Sequence, residues 1–158
     1  MISNANELSN CVDVILRPKG YVKKKETWYK FTSECICFFV LKKSPFSGQF
    51  ENLLGCVLKE INEDSKEFPE YFKNHLSFEL EHLAGKELVE NAFSLEYRGF
   101  SGDRREEIIR YLIEDYVVPF LSEIGSKEGI KQAFSKYSSL KYRMRVNLKN
   151  ALALPVED

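Results

Sequence analysis

Residues 35–41, CICFFVL, are apolar without interruption. In an extended chain successive side chains point to opposite faces, so Cys35, Cys37, Phe39 and Leu41 share one side. Ile36, Phe38 and Val40 share the other. A half-exposed strand would alternate with polar residues; this one must be covered on both faces. The chain therefore has to supply a layer for each side of the sheet around this strand.

The surrounding residues supply neighbours for it. Trp28, Tyr29, Phe31 and Thr32 are good strand formers, so residues 21–32 read as extended chain with a charged turn at Lys23-Lys24-Lys25-Glu26. Ser44-Pro45-Phe46-Ser47-Gly48 has turn chemistry, and residues 50–61 read as a further strand. Gly55 within it permits a bulge or a close packing contact. Residues 62–75 are polar, contain Pro69 and read as a loop. Leu76, Phe78 and Leu80 alternate with Ser77, Glu79 and Glu81, which predicts a half-buried strand with carboxylates on its open face. Phe93, Leu95 and Tyr97 against Ser94, Glu96 and Arg98 predict another.

Helices flank these strands. Leu8, Cys11, Val12, Ile15 and Leu16 form an amphipathic stripe within residues 4–17, with Ser3 or Asn4 as the cap. Ile108, Ile109, Leu112, Ile113, Tyr116 and Val117 keep helical period behind a predicted Asp103–Glu106 capping box. Pro119 has no amide hydrogen and must kink or restart that helix. Ser126 caps a short helix to about Tyr137. Leu140, Met144, Leu148 and Leu152, four apart, predict a last amphipathic helix with Lys141, Arg143, Arg145 and Lys149 outside. The expectation is one α+β domain over residues 1–158: an antiparallel β-sheet meander with an N-terminal helix and C-terminal helices packed on it.

Three stretches carry a family resemblance: RPKGYVKKKETWYKF, FFVLKKSPFSGQFENLLGC and DYVVPFLSEIGSKEGIKQAF. In that order they resemble the bacterial family catalogued as domain of unknown function 4304. The resemblance covers most of residues 10–135 and implies the same fold class. His75-Leu-Ser-Phe-Glu-Leu-Glu-His82 departs from the positively charged strand of that family by being richer in acid. None of the three stretches is a catalytic signature.

Chemistry-bearing residues give few openings. Cys35 and Cys37 could be a metal pair, but zinc knuckles place ligands two to four residues apart and repeat the pair, and neither Cys11 nor Cys56 completes one. The four cysteines read instead as buried, reduced thiols that pack as small hydrophobes. His75 and His82 neighbour glutamates and are possible bases or ligands; at a seven-residue offset in a strand they fall on opposite faces and read as surface histidines. No nucleophile elbow, phosphate loop or dinucleotide fingerprint occurs. The stretch KYSSLKYRMRVNLKN interleaves Tyr137 and Tyr142 with basic residues, as a nucleic-acid surface would. A net charge of −1 favours a solvated helix face there. No cofactor is expected, and no membrane segment: the apolar run is far too short to span a bilayer. Without a basic, apolar leader at the N-terminus, the expected location is cytoplasmic.

Charge is unevenly distributed. Residues 60–96 carry ten acidic and three basic groups between two mildly basic ends. Glu79, Glu81 and Glu96 on predicted open strand faces, with Glu63, Asp64 and Glu67 in the loop, are the candidate binding residues. Gathered together, they would draw a basic partner and speed its docking. The expectation is a non-enzymatic protein-binding module, of the immunity type that neutralises a basic toxin through an acidic face. The alternative is a ligand-binding or enzymatic domain with a pocket between sheet and helices. The bland reading is a solvated acidic surface that only confers solubility.

Overall fold

The computed structural model describes residues 2–63 and 66–156. Helix α1, Ala5–Leu16, precedes strands β1 (Val22–Lys24), β2 (Thr27–Phe31), β3 (Cys35–Lys43), β4 (Phe50–Leu58) and β5 (Leu76–Glu79). These five form one antiparallel sheet in sequence order, each strand paired with the next. Among the described residues the later α-helices are α2 (Glu81–Ala84), α3 (Lys86–Ala92), α4 (Gly102–Leu112), α5 (Val118–Glu123), α6 (Lys127–Lys136) and α7 (Val146–Ala151). The expected α+β meander is the observed architecture.

β3 is central and covered on both sides, as its composition requires: residues 35–41 are all buried. Cys35, Cys37, Phe39 and Leu41 join the main core with Trp28, Leu54, Cys56, Phe78 and the apolar stripes of the helices. Ile36, Phe38 and Val40 face a second, smaller cluster with Tyr29 and Val57, roofed by Phe68 and Tyr71. Residues 66–75 of the polar segment are therefore the second cover layer. Its seat is fixed by Tyr29 Oη, which donates to the Pro69 carbonyl at 2.8 Å, and by Phe68 packed edge-on against Tyr29 and Phe31. Full burial of a ring contributes about 1.5–3 kcal/mol, and the half-buried Phe68 and Tyr71 contribute less.

Gly55 accounts for the close contact between β4 and its neighbours. A Cβ there would collide with the Leu76 carbonyl oxygen and lie 2.6 Å from Phe38 Cζ. At Gly20, φ of 92° ends the turn after α1, a left-handed conformation that glycine adopts without steric cost.

Several sequence expectations are corrected. Residues 93–98 form no strand; Ser94 makes only an isolated bridge to Gln49. Between β5 and residues 93–98 the chain forms α2 and α3. β5 stops at Glu79, so Glu81 sits on α2 rather than on a strand face. The cap of α4 is Ser101, whose hydroxyl accepts from Arg104 N at 3.1 Å, one turn's start earlier than the Asp103–Glu106 box. The last segment is not one helix: a 3₁₀ turn, Leu140–Arg143, is followed by Met144 bridged to Leu76 on the sheet edge, and then by α7. Leu140, Met144, Leu148 and Leu152 are all buried despite this, so the apolar spacing predicted burial correctly and conformation wrongly.

Pro119 behaves as its chemistry demands. Unable to donate to the carbonyl four residues back, it lies in the first turn of α5, directly after a π-helical turn, Ile113–Val117. Helices α1, α4 and α5 close the main core. Trp28 Nε1 donates to Asp13 on α1 at 3.0 Å, tying the helix to β2. No helix among the described residues is long and apolar enough to cross a membrane.

Candidate functional site

β4 has nine residues, but β5 covers it only from Leu53 to Cys56. Beyond that point α2 and α3 turn across the sheet end. Gln49 Nε2 donates to the Glu90 carbonyl at 3.2 Å and Phe50 N to the Phe93 carbonyl at 2.8 Å, which holds α3 beside the strand. A gap is left between β4, the start of α2 and α3. It is a cavity of about 550 Å³ that borders Glu51, Asn52 and Leu53 on β4, Val40 and Lys42 on β3, and Tyr71 in the cover segment. Glu79, Glu81, Val89 and Glu90 close it from the other side. Adjacent strand residues point to opposite faces, so the Asn52 side chain shares its face of β4 with the core residues Phe50 and Leu54, away from Glu51 and Leu53.

Four carboxylates and one ammonium line this space. Glu79 is already engaged: Arg143 Nη2 donates to its Oε1, and His82 Nδ1 lies 3.3 Å from its Oε2. Glu90 forms a loose, exposed pair with Lys86 at 3.9 Å. Glu51 stands opposite Lys42 in the β3–β4 register, and neither the Glu51 nor the Glu81 carboxylate makes a hydrogen bond or ion pair among the described residues. Asn52 is 6% exposed, and its Oδ1 is buried with no hydrogen-bond partner. Leaving such an acceptor unmatched costs about 1–3 kcal/mol, so it is a feature that needs a reason.

The predicted binding residues divide into those the fold gathers and those it does not. Glu79 and Glu81 meet at the cavity. Glu96 lies in a turn and accepts from Gly48 N at 2.8 Å, next to Gln49 but outside the cavity lining. Glu63 sits near His75, by the far end of β4, and Glu67 is exposed in the cover segment beside Phe68. Asp64 lies outside the described residues. Sequence reading missed Glu51, Glu90 and Asn52. Glu51 was hidden within the basic N-terminal block. Asn52 carried a signal: it is a polar residue between Phe50 and Leu54 on the inward alternation of a strand.

Glu79, Glu81 and His82 each offer a ligand atom, all within 4.8 Å of one another. The Arg143 guanidinium already neutralises Glu79, and a cation added there would sit beside that positive charge. The geometry therefore suits this trio to an internal ion-pair network better than to metal binding.

His75 and the cysteines lie inside the protein. His75 is buried, against the surface position expected for it, and its Nδ1 accepts from Leu58 N at 2.9 Å. Burial, reinforced by Arg145, lowers its pKa below 6.5. All four cysteines are buried free thiols. Burial raises Cys11 to about 11 and Cys37 further still. Cys56 hydrogen-bonds to Cys35, which raises its own pKa and lowers that of Cys35.

The family model described as domain of unknown function (DUF4304) matches residues 12–123. The chain belongs to this family. The DUF4304 match contains all five strands and every residue of the cavity lining, and it ends at Glu123, the last residue of α5. No curated protein and no solved structure matches the chain.

Proposed function

We propose that this DUF4304 protein is a non-enzymatic binding module of immunity type, which neutralises a basic protein toxin through the acidic cavity at the end of its sheet. The observation that carries this reading is the convergence of Glu51, Glu79, Glu81 and Glu90 on one space that holds a single lysine. Such a field accelerates encounter with a cationic partner, and side chains brought into the cavity lose enough water for the attraction to count. The wider acidic block, including Glu63, Glu67 and Glu96, contributes long-range attraction rather than contact.

If a neighbouring gene encodes a basic toxin, titration calorimetry against its product tests the proposal. Affinity is expected to fall at least a hundredfold in the E51K/E81K/E90K variant and to weaken steeply with salt. E63K and E67K, which lie outside the cavity lining, should change it less than about threefold and mainly through the association rate. Unaltered affinity in the triple variant would remove the cavity from the interface and the proposal with it.

The cavity volume favours a second reading, a small-molecule site, since about 300–1,000 Å³ is usual for such pockets. Neutral metabolites raising the melting temperature, with no response to basic proteins, would select it.

A further inference from the structure

The C-terminal segment carries a charge opposite to that of the cavity. Residues 127–149 hold seven basic side chains and one acidic, Glu128, and they follow the stretch that the family model matches. Part of this charge is neutralised within the molecule: Lys127 pairs with Glu60 at 2.6 Å, and Arg143 with Glu79. Lys136 lies 3.9 Å from Glu123 in a loose, exposed contact. Neither Lys131 nor Arg145 has a carboxylate partner among the described residues. Lys131 and Lys136 flank one shallow depression on α6, with Glu128 at its edge.

Two exposed rings stand beside these cations. Tyr142 is 71% exposed, and Lys141 Nζ lies 5.0 Å from its ring centre, which leaves the other ring face to solvent. Phe72 is 55% exposed, and Arg145 Nη2 donates to its carbonyl at 2.8 Å. The backbone fixes this neighbourhood: Arg145 N donates to the His75 carbonyl, and Met144 bridges to Leu76. Tyr142 is three residues from Arg145, at most about 11 Å along the chain. The turn joining it to α6 is closed by Leu140 N on the Tyr137 carbonyl and Tyr142 N on the Ser139 carbonyl. A single exposed ring needs no explanation, but two rings, each held beside a cation, are the pairing that a nucleic-acid strand requires.

We infer that this surface binds single-stranded nucleic acid, with bases stacked on Tyr142 and Phe72 and phosphates held by Lys131, Lys136, Lys141 and Arg145. Charge complementarity sets the class of partner as a polyanion, and the rings narrow it. A duplex keeps its base faces within the stack, whereas a single strand offers each base to a ring. An anionic membrane would call for a larger continuous apolar surface than these rings and Val146 provide. Arg143 marks the border with the acidic cavity by neutralising Glu79, and Lys66 engages Glu70 at 3.6 Å in the segment that bears Phe72. Phe72, Lys131, Lys136, Tyr142 and Arg145 lie outside the cavity lining, so this inference stands apart from the toxin reading.

Fluorescence anisotropy with the whole chain tests this, using labelled oligothymidylate and oligouridylate of about twelve nucleotides and a duplex of the same length. Both single strands are expected to bind in about 50 mM salt and to lose about fiftyfold in affinity by about 200 mM, the slope for four phosphates on a single strand. Tyr142→Ala should weaken binding at least about fivefold, and Tyr142→Trp should retain or tighten it. Both variants should keep the wild-type melting temperature, because the ring is exposed. K131E/K136E should weaken both strands and flatten the salt dependence.

Failure of both strands to bind at the lower salt, a duplex bound as tightly as a single strand, or affinity indifferent to Tyr142 would overturn the inference. Co-sedimentation with phosphatidylserine vesicles, abolished by Tyr142→Ala and stronger than strand binding, would overturn it in favour of a membrane surface. Tighter binding of one strand than of the other supports the inference and assigns its sugar.

Discussion

At the scale of single residues, the buried polar side chains decide more than the exposed charges. His75 Nδ1 accepts the Leu58 amide, and a protonated ring nitrogen cannot do so. Because the folded-state pKa lies below 6.5, the unfolded chain binds the proton more readily. The stability this group contributes is complete above pH 6.5 and is lost as pH falls from there through the folded value. Thermal melts across that window should show the loss in wild type and not in His75→Asn, whose side-chain oxygen can replace Nδ1 as acceptor. Arg105 offers a second case. It is 3% exposed and donates to the carbonyls of Asn91, Ala92 and Tyr97 at 2.7, 2.8 and 2.7 Å. It thus closes the end of α3 and orders the turn behind the cavity. Arg105→Ala strands three acceptors, and urea unfolding should register a loss of about 3 kcal/mol.

At the scale of elements, the period of the apolar pattern located buried faces reliably and element types less so. Residues 93–98 alternate like a strand, but α3 and the bridge at Ser94 occupy the edge of β4 that such a strand would need. The C-terminal leucines keep helical spacing, yet Met144 is drawn into pairing with Leu76, which breaks the helix in two. In both places a long-range partner overrode a local preference. Gly55 was legible as a close-packing position and is one. Gly55→Ala should cost about 1–3 kcal/mol by overpacking against Phe38 and the Leu76 carbonyl, seen as a lowered denaturation midpoint with an unchanged slope.

At the scale of the whole molecule, a sheet with two covered faces buries Cys35, Cys37 and Cys56, and the packing of α1 buries Cys11. The four thiols should resist a neutral-pH disulfide reagent in the native protein and all react once it is unfolded in denaturant. Rapid native labelling of Cys35 or Cys37 would contradict the burial of β3. The same two-layer arrangement creates the cavity. Residues 66–75 roof one face and the helices the other, and they leave the sheet end open around Glu51.

The sequence by itself determined the interior: an unbroken apolar stretch at 35–41 permits only a strand buried on both sides, since burial depends on the period of the side chains. It also determined the meander, because short polar turns between strand-forming segments leave antiparallel neighbours as the simplest pairing. The candidate site was half legible. Glu79 and Glu81 stood out by charge, but Glu51, Asn52 and Glu90 lie up to 39 positions from one another along the chain. Only the tertiary structure decided that β5 stops short, that α3 folds back against β4, and that these distant groups therefore line one space. Electrostatic and hydrogen-bonding fields act through distance in space, which a linear pattern of charges does not contain.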